Sequence, residues 1–480
     1  MASPVGAGGR DFGRAGSDVL VYELNEVPWR IIDLYLERRP TSTLASVMSR
    51  AQCLTTVNDD KVHLQPWRTW PTFHTGLYTE GHNSWDLGQD PETFEGETIW
   101  DVAERAGLRI GLFGVLQSWP PRQPMNGGFW VPDTFARDAT TVPEGLSSFQ
   151  EFNLSMTAEN SFSASQPLNT QRMLRVGADI ARRGLTPRSA AMLMQQLLRE
   201  RREPRWKAAR PVAQALPAFD LYWRLHTRQR PNLSVFFTNH VAGAMHRYWG
   251  DAVPDYADTY GYNVDDIFRN FVWHAMDIFD SQLQSILRWM DRNPGTVLVI
   301  ASSMGQEPIE YQQLDNCYVL KDPRRLTDTL GLGAAEPGLA MYPMYALNFE
   351  AAEQAEHAAK ELERLRVGSD PLFRPIQAQG NTLTAGIVSH QGTRPITLES
   401  SNGEARELTL DQLGVVEEER LGGANTAFHI PEGIWIATGS GVEQDSSRAS
   451  FSALEAKGRL TDLLGIPPTV DAASAALAAR

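Results

Sequence analysis

The chain has 480 residues, enough to bury one large core or two smaller ones. Its 58 acidic against 44 basic residues leave a net charge of −14, which disfavours a surface for duplex nucleic acid. Composition is ordinary for a soluble protein, with 42% hydrophobic and 21% charged residues, and no apolar run reaches the length of a membrane span. Two cysteines, Cys53 and Cys317, supply neither a disulfide framework nor zinc-finger spacing.

Residues 1–17 are Gly- and Ala-rich with no apolar signal core and read as a flexible tail. The remainder, 18–480, reads as a single α/β domain of cytoplasmic location. Val19–Leu24 is a short apolar strand ending at Asn25-Glu26-Val27-Pro28, where proline opens an amphipathic helix over Trp29–Arg39. Cys53–Val57 is a second strand; Thr98–Ala106 is a helix stopped by Gly107 and followed by the strand Arg109–Val115. From 117 to 230 the alternation lapses into Pro-, Gly- and Ser-rich pieces and helical segments around Arg172–Arg182, Ser189–Glu200 and Ala213–Thr227, a largely helical cap- or lid-like insertion. Within it, Arg199–Arg210 is a basic stretch that either grips an anionic partner or is a solvated helix end and linker. Leu233–Phe237 is a buried strand halted by Thr238-Asn239-His240. Val264–Asp291 reads as a long helix, Thr296–Ala301 as a strand ending at Ser302-Ser303-Met304-Gly305, and Met344–Phe349 and Gly433–Ala437 as further strands. Helices at Ala351–Leu365 and Ala453–Leu464 complete the pattern, which predicts a mostly parallel sheet with helices on both faces. Carboxyl ends of such strands are where ligands bind, so the polar strand ends are the candidate site.

The ordered segments Val19–Trp29, Trp70–His82, Thr98–Pro121, Thr238–Trp249, Thr296–Gly305, His429–Gly439 and the tail around Leu463–Pro468 resemble the alkaline phosphatase superfamily, in particular its type I phosphodiesterase/nucleotide pyrophosphatase-like branch. The resemblance implies an alkaline-phosphatase-like fold and two metal ions at the strand ends, where a Ser or Thr attacks phosphorus or sulfur. It also implies the ligand set: an aspartate after the first strand, an Asp-His pair, a Ser-Asp-His-Gly motif and a late histidine. Those carboxylates offset the repulsion between two close cations. Here Asn25 stands at the first aspartate, Asn239 replaces the Asp before His240, and Ser303-Met304 replace the Asp-His of the last motif, while His429 remains. The expectation is therefore at most one weakly held divalent ion, zinc or similar, on Asn239, His240 and His429. The other site has no strong ligand unless Glu26 or Glu307 swings in.

For catalysis the candidates are Thr69, in Arg68-Thr69-Trp70-Pro71, as nucleophile, His240 as acid, base or ligand, and Arg68 as holder of the anion. Alignment on Thr75-Gly76 instead puts the nucleophile position near Gln65 or Pro66; Thr72 is the second hydroxyl, and the competing reading for either threonine is helix capping or packing. Substrate contacts fall to Asn25, Ser303 and His246. His74, His82, Arg247 and His390 are further polar candidates, His390 as a replacement ligand, and Trp67, Trp70 and Trp85 offer faces for a sugar or base or else pack the core. Two functions follow from this pattern. One is a diverged hydrolase or transferase on a phosphate or sulfate ester with one weak metal or none. The other is an inactive relative that binds an anionic or sugar-like small molecule or a partner protein. Neither needs nucleic acid or a membrane, and oligomeric state stays open.

Overall fold

The computed structural model describes residues 16–87, 89–158, 170–311, 316–340, 344–390, 396–399, 405–419 and 425–467. All but the last two residues of the expected tail, and Pro468, lie outside that set. The centre is an eight-stranded sheet. Labelled strands are β1 (Asp18–Leu24), β2 (Gln52–Val57), β3 (Ile110–Val115), β4 (Gly128–Pro132), β5 (Leu233–Thr238), β6 (Thr296–Ala301) and β7 (Gly305–Pro308). The order across the sheet is Ser450–Ser452, β2, Glu432–Gly439, β6, β1, β5, β3, β4. Only Glu432–Gly439 runs against the rest, pairing antiparallel with both β6 and β2. The fold is α/β with a mostly parallel central sheet, as the strand–helix alternation predicts.

Period-2 alternation builds the two layers. On β1, Leu20, Tyr22 and Leu24 enter one core with Ile31, Trp249 and Phe279, whereas Val19 and Val21 enter the opposite core with Trp70, Phe73 and Trp100. The first core is covered by helices Trp29–Arg38, Ala215–Gln229, His240–Ala252 and Phe271–Met290, the second by Pro66–Thr75, Ile99–Arg105 and Ala456–Leu463. The long helix expected from Val264 starts only at Phe271, after a short 3-10 turn at Phe268–Asn270. Asp265 explains the delay: its backbone N–H is held by Asp251, and its carboxylate accepts from Ile267 and Phe268 N–H groups, fixing a loop.

Within 117–230, β4 pairs parallel with β3 and is an edge strand of the central sheet, while Thr170–Arg183, Pro187–Arg202 and Ala215–Gln229 are helical. A third core lies beyond β7. There Met344–Asn348, Phe373–Gln379, Thr382–Ile387 and Glu336–Gly338 form an antiparallel sheet, and helix Ala352–Glu363 packs on it. Among the described residues no helix is long and apolar enough to cross a membrane.

Candidate functional site

Because β1, β5 and β6 are adjacent and parallel, Asn25-Glu26, Asn239-His240 and Ser302-Ser303 emerge on one edge. Ser302 ties the ends together: its hydroxyl donates to Leu24 O and accepts from Val27 N, and its carbonyl accepts from Thr56. The turn between them forces Glu26 into the left-handed region at φ 59°, a conformation that costs a non-glycine residue about 1–2 kcal/mol. That strain turns the Glu26 carboxylate into a buried polar group at the sheet edge, where it is 2% exposed.

Two imidazoles converge on one oxygen of that carboxylate. Glu26 Oε2 lies 2.9 Å from His246 Nε2 and 3.4 Å from His429 Nε2, and Gln306 Nε2 donates to the same atom. The ligand atoms of Glu26, His246 and His429 all lie within 4.8 Å of one another. Helix His240–Ala252 carries His246, and the Ala427–Ile430 strand, paired antiparallel with β7, carries His429. Both rings are oriented from behind: His246 Nδ1 is 2.9 Å from Ala427 O and His429 Nδ1 is 2.9 Å from Leu64 O. A carbonyl can only accept, so each Nδ1 carries a proton, and each Nε2 turns toward Glu26. Neutral Nε2 lone pairs facing carboxylate lone pairs repel; the arrangement requires a cation between them, either a proton or a metal ion. Burial pushes the Glu26 carboxyl up, but the His429 and His246 imidazoles outweigh it and hold the group well below the usual carboxylate range. For His429 burial works against the charged ring, and the facing Glu26 carboxylate more than offsets that and raises it.

Amides form the rest of the shell. Trp70 Nε1 donates to Asn25 Oδ1 at 2.8 Å, which fixes the amide so that Asn25 Nδ2 donates to Glu26 Oε1 at 2.8 Å and to Asn239 Oδ1 at 2.7 Å. An aspartate at 25 would set a second carboxylate against Glu26; with the acid one residue later, asparagine is the side chain that fits. Asn239 is exposed, and its acceptor oxygen is taken by Asn25. Ser303 is fully buried, its hydroxyl 2.8 Å from Thr69 Oγ1, and Thr69 itself is 1% exposed inside helix Pro66–Thr75. Met304 is buried as well.

The Glu26 cluster does not include His240. Its Nε2 faces Ala275 O at 3.1 Å and therefore donates, so Nδ1 accepts from the Thr238 hydroxyl at 2.7 Å. Both nitrogens are engaged, and burial lowers this imidazole to about 4, so the ring is neutral. Arg68 donates through Nε to Trp85 O at 2.9 Å and through Nη1 to His63 O at 3.1 Å, bracing the loop beside the site. His74 is buried against Glu23, His82 bonds Thr72, Arg247 and Glu307 are exposed, and His390 contacts Pro371 O. Of the expected metal set, only His429 is in the cluster. The sequence points to His246 as a substrate contact and to Glu26 only as a ligand that swings in, and it carries no signal for Gln306.

No protein-family model matches the chain, and no curated protein matches its sequence. Solved structures similar to it include murine ectonucleotide pyrophosphatase/phosphodiesterase 5, alone and as an inactive form in complex with AMP. Each is 12% identical with a TM-score of 0.43, over 94% of this chain and 96% of the other. The human ectonucleotide pyrophosphatase/phosphodiesterase 5 is 11% identical with a TM-score of 0.41 over the same shares. Likeness this remote leaves the chemistry to be read from the residues.

Proposed function

We propose that the chain is a diverged member of the alkaline phosphatase superfamily. In this reading it is a hydrolase or transferase for a phosphate or sulfate ester, working with one divalent ion held by Glu26, His246 and His429. The observation that carries the reading is the convergence of two carbonyl-oriented imidazoles on a single buried carboxylate oxygen. The donor set suits the ion: one carboxylate and two imidazole Nε2 atoms, each ring fixed through its other nitrogen, leave a position for substrate. A zinc-like ion bound there supplies Lewis-acid polarisation of an ester oxygen.

The protein's own groups take the remaining roles. Asn239 Nδ2 is the donor left on an exposed amide whose oxygen Asn25 already occupies, and it is placed to bind a substrate oxygen. Arg68 commits two of its five N–H donors to carbonyls and keeps the others for the anion. Thr69 is the candidate nucleophile, its hydroxyl 2.8 Å from the Ser303 hydroxyl in a bond that either oxygen can donate. A second reading, a protein that binds such a ligand without turnover, is favoured by that same contact: the Thr69 hydroxyl meets a serine rather than a base.

Elemental analysis of the full chain tests the proposal. About one divalent ion per chain is expected in the wild type and a loss of at least tenfold in His246→Ala/His429→Ala. Equal metal content in the two proteins, or none in either, overturns the metal reading. Assays on aryl phosphate mono- and diesters and aryl sulfates, run on metal-loaded wild type and Thr69→Ala, then separate turnover from binding.

A further inference from the structure

A cavity of about 300 Å³ opens at the carboxyl ends of β3 and β4, on the sheet edge that carries the Glu26 cluster but at different residues. Its apolar walls are Trp67, Trp100, Trp119, Trp130, Phe94 and Phe135. Four indoles in one small cavity are a large investment of ring surface, and Trp100 and Trp130 are nonetheless 95% buried. The walls are not parallel. Trp100 and Trp130 meet at 74° with centroids 6.4 Å apart, so these two do not form a slot for a flat ring stacked on both sides. They form a corner, which suits a puckered ring laying its C–H face on one indole and its edge toward the other.

The polar lining supplies what the edge of such a ring needs. Arg122 lies 5.0 Å over the Trp130 ring, and Arg137 lies 5.4 Å over Trp119, so each guanidinium makes a cation–π contact with an indole. Arg122 also pairs with Asp101 at 2.8 Å and with the buried Glu104. Asp133 is 5% exposed and accepts from Phe135 N at 2.7 Å. Asp101, Asp133 and the Glu104 carboxylate paired with Arg122 offset the two lining arginines, so the cavity offers planar donors and acceptors together. An anionic group would find Arg122 already paired with two carboxylates; a neutral ring bearing adjacent hydroxyls would find both a donor and an acceptor for each.

We infer that this cavity binds a neutral pyranose ring against its indole walls, of which Trp67 and Trp119 are the more exposed, with Asp101, Arg122 and Gln117 as its hydrogen-bonding groups. The assignment is independent of the metal reading. If both hold, the sugar is the organic portion of the ester.

Saturation-transfer NMR on the full chain tests it. The probes are methyl α- and β-D-glucopyranoside, -galactopyranoside and -mannopyranoside and N-acetylglucosamine, with adenosine as flat-ring control and glucose 1-phosphate as anionic control. At least one neutral pyranoside is expected to show transfer that an excess of the same sugar competes away. Its affinity should fall at least tenfold in Trp119→Ala and recover in part in Trp119→Phe, with the melting temperature confirming that both variants fold. It should be unchanged in His246→Ala/His429→Ala, which isolates this site from the metal cluster. Absence of transfer from every pyranoside, transfer from adenosine alone, or equal binding by wild type and Trp119→Ala overturns the assignment.

Discussion

Two carboxylate–histidine groups hang from one strand, three residues apart, and they differ in almost everything but composition. Glu23, inside β1, meets His74 in the sealed core among Trp70, Phe73 and Trp100. Among the described residues, Glu23 Oε2 and His74 Nδ1 have no hydrogen-bond partner. Glu26, just past the strand end, meets two imidazoles, and the amides of Gln306 and Asn25 donate to its two oxygens. Trp70 stands between the groups, stacked on His74 with ring centroids 5.7 Å apart and donating to Asn25. The same pair of side-chain types is a structural strut where apolar walls close it and a candidate ligand set where oriented donors surround it. Position relative to the strand end decides which.

The largest expected effect lies at the open group. Replacing Glu26 by Gln keeps the shape but removes the anion, and the cluster then presents two imidazoles and an amide to a dication. Metal content measured by elemental analysis should drop from about one ion per chain to a tenth or less. Retention of the ion by Glu26→Gln would show that the carboxylate is not a ligand.

At the sealed group the effect should appear in stability and not in metal. His74→Ala removes one partner of a buried pair and leaves Glu23 facing a cavity, which should cost about 3–5 kcal/mol in denaturant unfolding. Glu23→Leu/His74→Leu, which removes both polar groups, should recover most of that loss because the surroundings are aromatic. Metal content should be unchanged in both. A double variant as unstable as the single one would mean that the pair holds its position by more than mutual satisfaction.

Other buried histidines sharpen the contrast through pH. Burial lowers His240 and His82 to about 4 and His226 to about 3, against an ordinary value of 6.5. Each is neutral when folded and protonated when unfolded between those values, so the unfolded state binds more protons and stability falls as pH drops from about 6.5 toward 4. Each contributes up to about 3 kcal/mol to that loss. His240→Gln, whose amide can still accept from Thr238 and donate to Ala275, should unfold with a shallower acid limb than wild type. An identical pH profile would show that His240 is solvated and free to titrate.

Much of this was legible before any coordinates. The parallel sheet follows from the strand–helix alternation, and the site edge follows from three strands that each end in polar residues. What local pattern does not carry is the direction of a side chain after a strand ends. Glu26 takes over the acidic role at β1 only because a positive φ redirects it, and nothing in Asn25-Glu26-Val27-Pro28 announces that angle. The division of labour between His240 and His246 follows from helix period alone. At about 100° per residue, six residues place them about 120° apart around one helix and about 9 Å apart along it, on different faces. The antiparallel strands between 365 and 430 escaped because they are short and half exposed; Phe373–Gln379, for example, alternates with few apolar residues.

The smallest expected effect is the most discriminating, because its sign depends on the ion. Asn25→Asp keeps the acceptor that Trp70 needs but exchanges the donor on Glu26 and Asn239 for a second anion. Without metal, two carboxylates then share a buried edge, and the variant should be less stable than wild type by about 1–3 kcal/mol. With a saturating divalent ion the added charge is attracted to the cation, and the deficit should shrink or reverse. Unfolding midpoints of wild type and Asn25→Asp, each measured with chelator and with zinc, give the four values needed. A deficit that zinc does not change would place the ion, if one binds, away from Glu26, and the two groups on β1 would then both be struts.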